Sequence, residues 1–165
     1  MKVISSFSGE YSFLSNFYPS IIRIPNNDWE YETMEHFYQA QKVPRDSSSH
    51  RLIQDAKTPA EAKKLGRTLK IRQDWDEVKV GIMMVGLHYK FWRHHQLMDK
   101  LVATGDALLI EGNTWGDTFW GQTVVNSSDS YKFGEGRGLN VLGTLLMCIR
   151  QRFNQGFRLA PGALK

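Results

Sequence analysis

Val78, Ile82, Val85 and Tyr89 fall three and four residues apart, the spacing of one face of a helix. The acidic pair Asp76 and Glu77 precedes them, complementing the positive end of a helix that starts at Asp74. The same spacing joins Leu142, Leu145, Leu146, Ile149 and Phe153, which predicts a helix over 139–153 with those residues inward. A third pattern over 94–104 closes at Gly105. Thr33 suits the N-cap of a helix over 34–43 that Pro44 ends. In Thr58-Pro59-Ala60-Glu61 a capping residue, a first-turn proline and a capping-box glutamate come together, with Gly66 placed as the C-terminal cap.

Short β-branched and aromatic runs predict strands at 3–7, 21–24 and 29–32. Ser8-Gly9, Pro19 and Pro25-Asn26-Asn27-Asp28 separate them as turn signals. The expected fold class is α+β: a mainly helical single domain over 1–165 with a small antiparallel sheet. Residues 105–138 are rich in Gly, Ser, Thr and Asn and too long for a mere connector.

Composition changes this picture little. The 165 residues are 41% hydrophobic and 23% charged, which excludes a disordered chain. The net charge of +4 permits an anionic ligand without requiring one. Lys63, Lys64, Arg67, Lys70 and Arg72 form a basic run, read either as a solvated face or as a groove for a phosphodiester strand. The single Cys148 lies among Leu145, Leu146, Met147 and Ile149, where a thiol behaves as a small hydrophobe, and no disulfide can form within one chain. Neither a signal peptide nor a membrane span is legible, so the expected location is the cytoplasm.

Standard metal and nucleotide motifs are absent. The five histidines lack zincin spacing, and no Walker loop occurs. Gly134-Glu135-Gly136-Arg137-Gly138 lacks the preceding strand of a dinucleotide fingerprint. It leads into a helix, so the open readings are a phosphate cradle of unused backbone N–H groups and a plain loop before a capped helix. In the 34–43 helix, spacing places Glu35, Gln39 and Lys42 on one polar face, away from Phe37 and Ala40. Glu35 there either complements the helix dipole or is a carboxylate held ready for chemistry. The stretch from Glu111 to Gly121 gathers Glu111, Asp117, Trp115 and Trp120 with three glycines. It offers a stacking platform for a flat base, or a hairpin whose rings plug the core.

Taken in order, these residues carry a resemblance. Ser15-Asn16-Phe17 with Thr33-Met34-Glu35-His36-Phe37-Tyr38-Gln39-Ala40-Gln41-Lys42 resembles the N-terminal signature of the NADAR, or YbiA-like, family. Gly66-Arg67, Arg72-Gln73-Asp74-Trp75, Lys90-Phe91, Leu109-Ile110-Glu111, Asp117-Thr118-Phe119-Trp120-Gly121 and Gly138-Leu139-Asn140-Val141-Leu142-Gly143 continue it in order. The similarity runs over roughly residues 5–153. It implies a YbiA-like fold and a metal-independent N-glycosidase without cofactor. The substrate would be either a ribosylaminopyrimidine phosphate of riboflavin synthesis or ADP-ribose joined to guanine, as a nucleobase derivative or in DNA. The stretch 121–132 departs from the shorter glycine-rich segment of riboflavin-type members, which tilts the expectation towards an ADP-ribosylated base.

Cleavage of an N-ribosyl bond builds positive charge at the anomeric carbon, so a carboxylate near it and a positioned water are needed. Glu35 is the expected base and charge stabiliser, and Asp117 the second catalytic candidate. Trp120 would stack on the base, with Gly121 allowing close approach. Asn16, Phe17 and Gln39 would contact ribose or base, and Lys42 and Arg67 a phosphate. Asn140 and Gly143 would present the helix start to that phosphate. A helix N-terminus lowers a glutamate's pKa, whereas a base needs it raised, so burial must decide the balance. The alternatives are a non-turnover ADP-ribose or NAD reader and a nucleic-acid-binding protein.

Overall fold

A computed structural model describes residues 2–25, 29–123 and 136–156. Strands β1 (Val3–Ile4), β2 (Pro19–Arg23) and β3 (Glu30–Thr33) lead into helices α1 (Met34–Ala40), α2 (Ser48–Gln54) and α3 (Pro59–Thr68). Helices α4 (Trp75–Arg93) and α5 (His95–Ala103) follow, then short strands β4 (Leu108–Leu109), β5 (Gly112–Asn113) and β6 (Gln122–Thr123) and helix α6 (Val141–Asn154). The fold class is α+β, helices dominating, as the periodicity predicts. The described residues group into two compact units, one from Asn16 to Leu97 and the other from the residues up to Ser15 and from Met98 onward.

In the first unit, β2 and β3 pair antiparallel, with Ile22 opposite Tyr31 and Arg23 opposite Glu30. Their alternation buries Ser20 and Ile22 on one strand and Tyr31 and Thr33 on the other, while Arg23 and Glu30 pair across the exposed face at 2.5 Å. The Thr33 hydroxyl caps α1 by accepting from the His36 amide. All seven residues of α1 are buried, because α2, α3, α4 and the β2–β3 hairpin pack around it. It ends at Ala40, three residues before the expected Val43. The amides of Lys42 and Val43 bond three residues back, to Gln39 and Ala40, and the chain tightens ahead of Pro44.

Helix α3 begins as expected, with Thr58 Oγ1 accepting from the Glu61 amide at 3.1 Å. Glu61 reaches back to the amide of Lys57 rather than to that of its cap. Gly66 is not its C-terminal cap: the helix continues to Thr68, and buried Gly66 lies where Gln39 of α1 crosses, leaving no room for a Cβ. Helix α2, capped by Ser47 and burying His50 and Ile53, has no counterpart in the sequence reading.

On α4 the period is right and the assigned face holds only at Tyr89, which is buried. Trp75, Met83, Leu87 and Phe91 are buried, whereas Val78, Ile82 and Val85 are only half-buried and line a groove. Two glycines of α4 differ sharply. A Cβ at Gly81 would meet nothing within 4 Å, while one at Gly86 would strike Met34 and Phe37. Gly81→Ala is therefore expected to stabilise the protein by about 0.5–1 kcal/mol, the helix-propensity difference. Gly86→Ala should destabilise it by about 1–3 kcal/mol through overpacking. Urea titrations of both variants test the pair, and equal effects would refute the assignment of faces.

In the second unit, β1 and β4 pair in parallel, as do β5 and β6. The sheets thus depart from the single antiparallel sheet expected, and the chain after β1 turns into a 3-10 helix, Gly9–Leu14. Helix α6 packs against β4 and buries Leu142, Leu145, Leu146 and Ile149, with Phe153 half-buried. Cys148 is exposed, contrary to its expected place among the apolar residues, because the helical turn carries it away from the Leu145–Ile149 face. Residues 124–135, which include most of the 121–132 stretch and the first two residues of the glycine run, lie outside the described residues.

Candidate active site

Glu35 sits in the first turn of α1, its amide bonded to the Asn16 carbonyl at 2.9 Å. That bond satisfies a helix-end donor and ties the Asn16 backbone to the start of α1. One turn on, Gln39 Nε2 donates to Glu35 Oε1 at 2.6 Å. Glu35 is 5% exposed and Gln39 4%, so this contact is made out of water. Burial raises the Glu35 pKa above the ordinary glutamate value; the Gln39 hydrogen bond and the charges of Lys63, Lys42 and His36 pull the other way. Burial wins, so the carboxyl is held above the usual glutamate range.

Two buried acceptors, on the two residues hydrogen-bonded to Glu35, have no partner among the described residues. They are Asn16 Oδ1 and Gln39 Oε1. Asn16 Nδ2 makes only a long contact to Met83 Sδ, 3.6 Å away. Buried oxygens of this kind are costly unless something donates to them. Gln39 Oε1 also lies against the Cα of Gly66, so only glycine at 66 leaves it in place.

Positive charge surrounds the group. Lys42 Nζ lies 5.6 Å from the Tyr38 ring centre and 5.5 Å from that of Trp75. Burial lowers its pKa, Glu35 raises it, and Arg67, Lys63 and Lys79 lower it further. Lys63 Nζ stands 5.7 Å from the centre of the half-exposed Phe17 ring. The structure thus brings together Asn16, Glu35, Gln39, Lys42 and Arg67 as the sequence suggests. It adds Lys63, which the sequence offered only as part of the basic run, and Lys79, which the sequence reading did not single out and which is paired with Asp76 at 2.6 Å. Fully buried His36 is structural: its Nε2 donates to the Ala56 carbonyl at 3.0 Å, and its Nδ1 shares a 2.8 Å hydrogen bond with the Thr33 hydroxyl.

In the other unit the candidate residues hold backbone in place. Asp117 Oδ1 accepts from the amides of Phe119 and Trp120 at 3.1 and 2.9 Å, building a tight turn. Asn113 holds the same turn from the other side, through the amide and the carbonyl of Asp117. The half-buried Trp120 ring meets Phe119 edge-on at 5.0 Å, while Trp115 is 64% exposed. Gly121 lies so close to Glu111 and Asn113 that a Cβ would collide with both. Asn140 adopts a left-handed conformation, φ 52°, and its side chain bridges two strands' ends, donating to the Leu109 carbonyl at 2.9 Å and accepting from the Glu111 amide at 3.0 Å. Gly143 allows α6 to approach the Leu109 carbonyl.

The amides expected to stand unused at the start of α6 are spent. Leu139, Asn140, Val141 and Leu142 donate to the carbonyls of Thr118, Gly121, Phe119 and Trp120. A phosphate cradle of unused N–H groups is therefore not found at these positions. No group of three or more His, Cys, Asp or Glu side chains is placed to hold a metal among the described residues. None of the described helices is long and apolar enough to cross a membrane.

Residues 5–154 match the NADAR domain. The chain is 41% identical over 145 residues to the N-glycosidase Npun_R5314 of Nostoc punctiforme, covering 86% of this chain and 85% of that protein. It is 35% identical over 150 residues to the chloroplastic riboflavin biosynthesis protein PYRR of Zea mays, covering 82% of this chain and 22% of that longer protein. The NMR structure of the Escherichia coli protein YbiA matches with a TM-score of 0.77 at 30% identity, covering 99% of this chain and 92% of that one.

Proposed function

Because this chain belongs to the NADAR domain family and is a hydrolase of N-glycosyl compounds, we propose that it cleaves the N-ribosyl bond of a phosphorylated N-riboside, with Glu35 as the catalytic carboxylate. The observation that carries this reading is the buried Glu35 hydrogen-bonded to Asn16 and Gln39, whose Oδ1 and Oε1 have no partner among the described residues. A ribose supplies what these oxygens lack, hydroxyl donors on a compact polar ring. Lys42, Lys63 and Arg67 supply the positive field a phosphate requires.

In the proposed reaction the bond from the anomeric carbon to the base nitrogen breaks, and its electron pair leaves with the base. A water oxygen bonds to that carbon, and Glu35 takes the water's proton. The charge on Glu35 stabilises the cationic sugar before that transfer, and the proton Glu35 takes passes on to the departing base, which restores the carboxylate. Positioned acid–base help of this kind is worth about 100- to 10,000-fold in rate. We assign Asp117 to turn formation rather than proton transfer, because one carboxylate oxygen already serves two backbone amides.

The riboflavin biosynthesis name of the maize relative favours a ribosylaminopyrimidine phosphate as substrate. The decisive assay supplies that compound and ADP-ribosylated guanine DNA side by side, with chelator throughout, to wild type and Asp117→Asn. Release of ribose phosphate from the first by both proteins is the expected result. Turnover of the ADP-ribosylated DNA alone would move the substrate class. Binding without release from either compound would replace the enzyme by a reader. Loss of turnover in a folded Asp117→Asn protein would return Asp117 to the chemistry.

A further inference from the structure

On the face of α1 opposite Glu35 and Gln39, Phe37 and Gln41 line a groove of about 800 Å³. Its volume falls within the roughly 300–1,000 Å³ typical of small-molecule sites. Val78, Ile82 and Val85 of α4 form one apolar wall, Val43 and Pro44 another. This explains why an apolar helical stripe of α4 is left only half-buried.

At the groove stands His50, 1% exposed. Its Nε2 lies 3.1 Å from the Tyr31 hydroxyl, and that hydroxyl oxygen accepts from Gln41 Nε2 at 3.3 Å. A buried hydroxyl hydrogen needs an acceptor, and Nε2 is the one the described residues place beside it; with Tyr31 donating there, the ring's own proton falls on Nδ1. Burial lowers the pKa of His50, which keeps the ring neutral, although Asp46 nearby opposes this. Nδ1 is buried and has no hydrogen-bond partner among the described residues, so the groove contains a donor awaiting an acceptor. Arg45, exposed and also lining the groove, makes no ion pair among the described residues. Arg72, by contrast, is held by Asp74 through two hydrogen bonds.

We infer that this groove is a second ligand site, distinct from the Glu35 site, for a small monocarboxylate with an apolar body. The carboxylate meets His50 Nδ1–H and Arg45, and the body lies along Val78, Ile82 and Val85. Glu77 on the rim disfavours a second negative charge on the ligand, which limits the class to monoanions.

Gly81 provides the clean test. It lines the groove, and a Cβ there meets nothing within 4 Å, so Gly81→Leu fills the space without disturbing the core. The probe is 3-phenylpropionate, titrated by calorimetry and followed by the imidazole NMR signals of His50, with 3-phenylpropionamide as its uncharged counterpart. Wild type and Glu35→Gln should both bind the acid with a Kd of about 1 mM or tighter. Gly81→Leu, folded by its thermal transition, should not bind. Arg45→Gln should lose about tenfold for the acid and nothing for the amide. No binding at about 10 mM, retained binding in Gly81→Leu, loss in Glu35→Gln, or equal affinity of wild type for acid and amide would each overturn the assignment.

Discussion

Glu35→Gln is expected to lower kcat by about 1,000-fold while leaving substrate affinity within a few-fold, and to make the protein more stable at neutral pH. The first effect follows from removing the one buried carboxylate, among the described residues, that is bonded to residues with unpartnered polar oxygens. Glutamine keeps the shape and still accepts from Gln39 Nε2, so binding contacts survive. The second effect follows from burial. Because the folded-state pKa of Glu35 is raised, the unfolded chain releases this proton at a lower pH than the folded one. Stability therefore falls as pH climbs from the ordinary glutamate value to the raised one, and the penalty is complete above it. Glutamine removes that penalty. The variant and wild type should melt together in acid, and diverge by roughly a few degrees as the pH approaches neutral. The wild-type rate should rise with pH along a limb above the ordinary glutamate range, a limb the variant lacks. A variant that turns over normally, or one less stable at every pH, would remove Glu35 from the mechanism.

Asn140→Ala carries the second large effect, and it falls on folding rather than on chemistry. Its amide holds the Leu109 carbonyl and the Glu111 amide together from a left-handed backbone. Alanine leaves both backbone groups without their partner, at about 1–3 kcal/mol each, and adds about 1–2 kcal/mol for the left-handed conformation. A loss near 4 kcal/mol is a large part of the stability of an ordinary domain. Asn140→Gly should recover the conformational part alone. Asn140→Asp should be no better than alanine, because a second carboxylate oxygen would face the Leu109 carbonyl. Chemical denaturation of the three variants gives the order. Wild-type stability in Asn140→Ala with failed turnover would instead place Asn140 at the substrate.

The same polar residue types produced both the successes and the misreadings of the sequence. Thr33, Pro44, Thr58 and Pro59 act on their own neighbours, so α1 and α3 are legible where they begin. Residues 3–4 pair with residues 108–109 in parallel, and nothing local announces a partner so far along the chain. In α4, spacing identifies a stripe of Val78, Ile82 and Val85, but period alone does not say whether a stripe faces a core or a groove. Glu35 stood out through its pattern with Gln39 and Lys42. Its raised pKa depends on the elements packed around α1, which no local pattern contains. Asp117 and Asn140 are as suited to a ribose as to a backbone amide, and only the hydrogen-bond geometry distinguishes the two uses.

The amide-to-carbonyl ladder between residues 139–142 and 118–121 bears on how the chain between them takes a change of length. It anchors both ends of the segment between Thr123 and Arg137, which themselves pair backbone to backbone. Lengthening a segment with anchored ends costs little, about 0.6 kcal/mol for each doubling of a flexible loop. A change of length between these anchors therefore leaves α6 and the Asp117 turn in place.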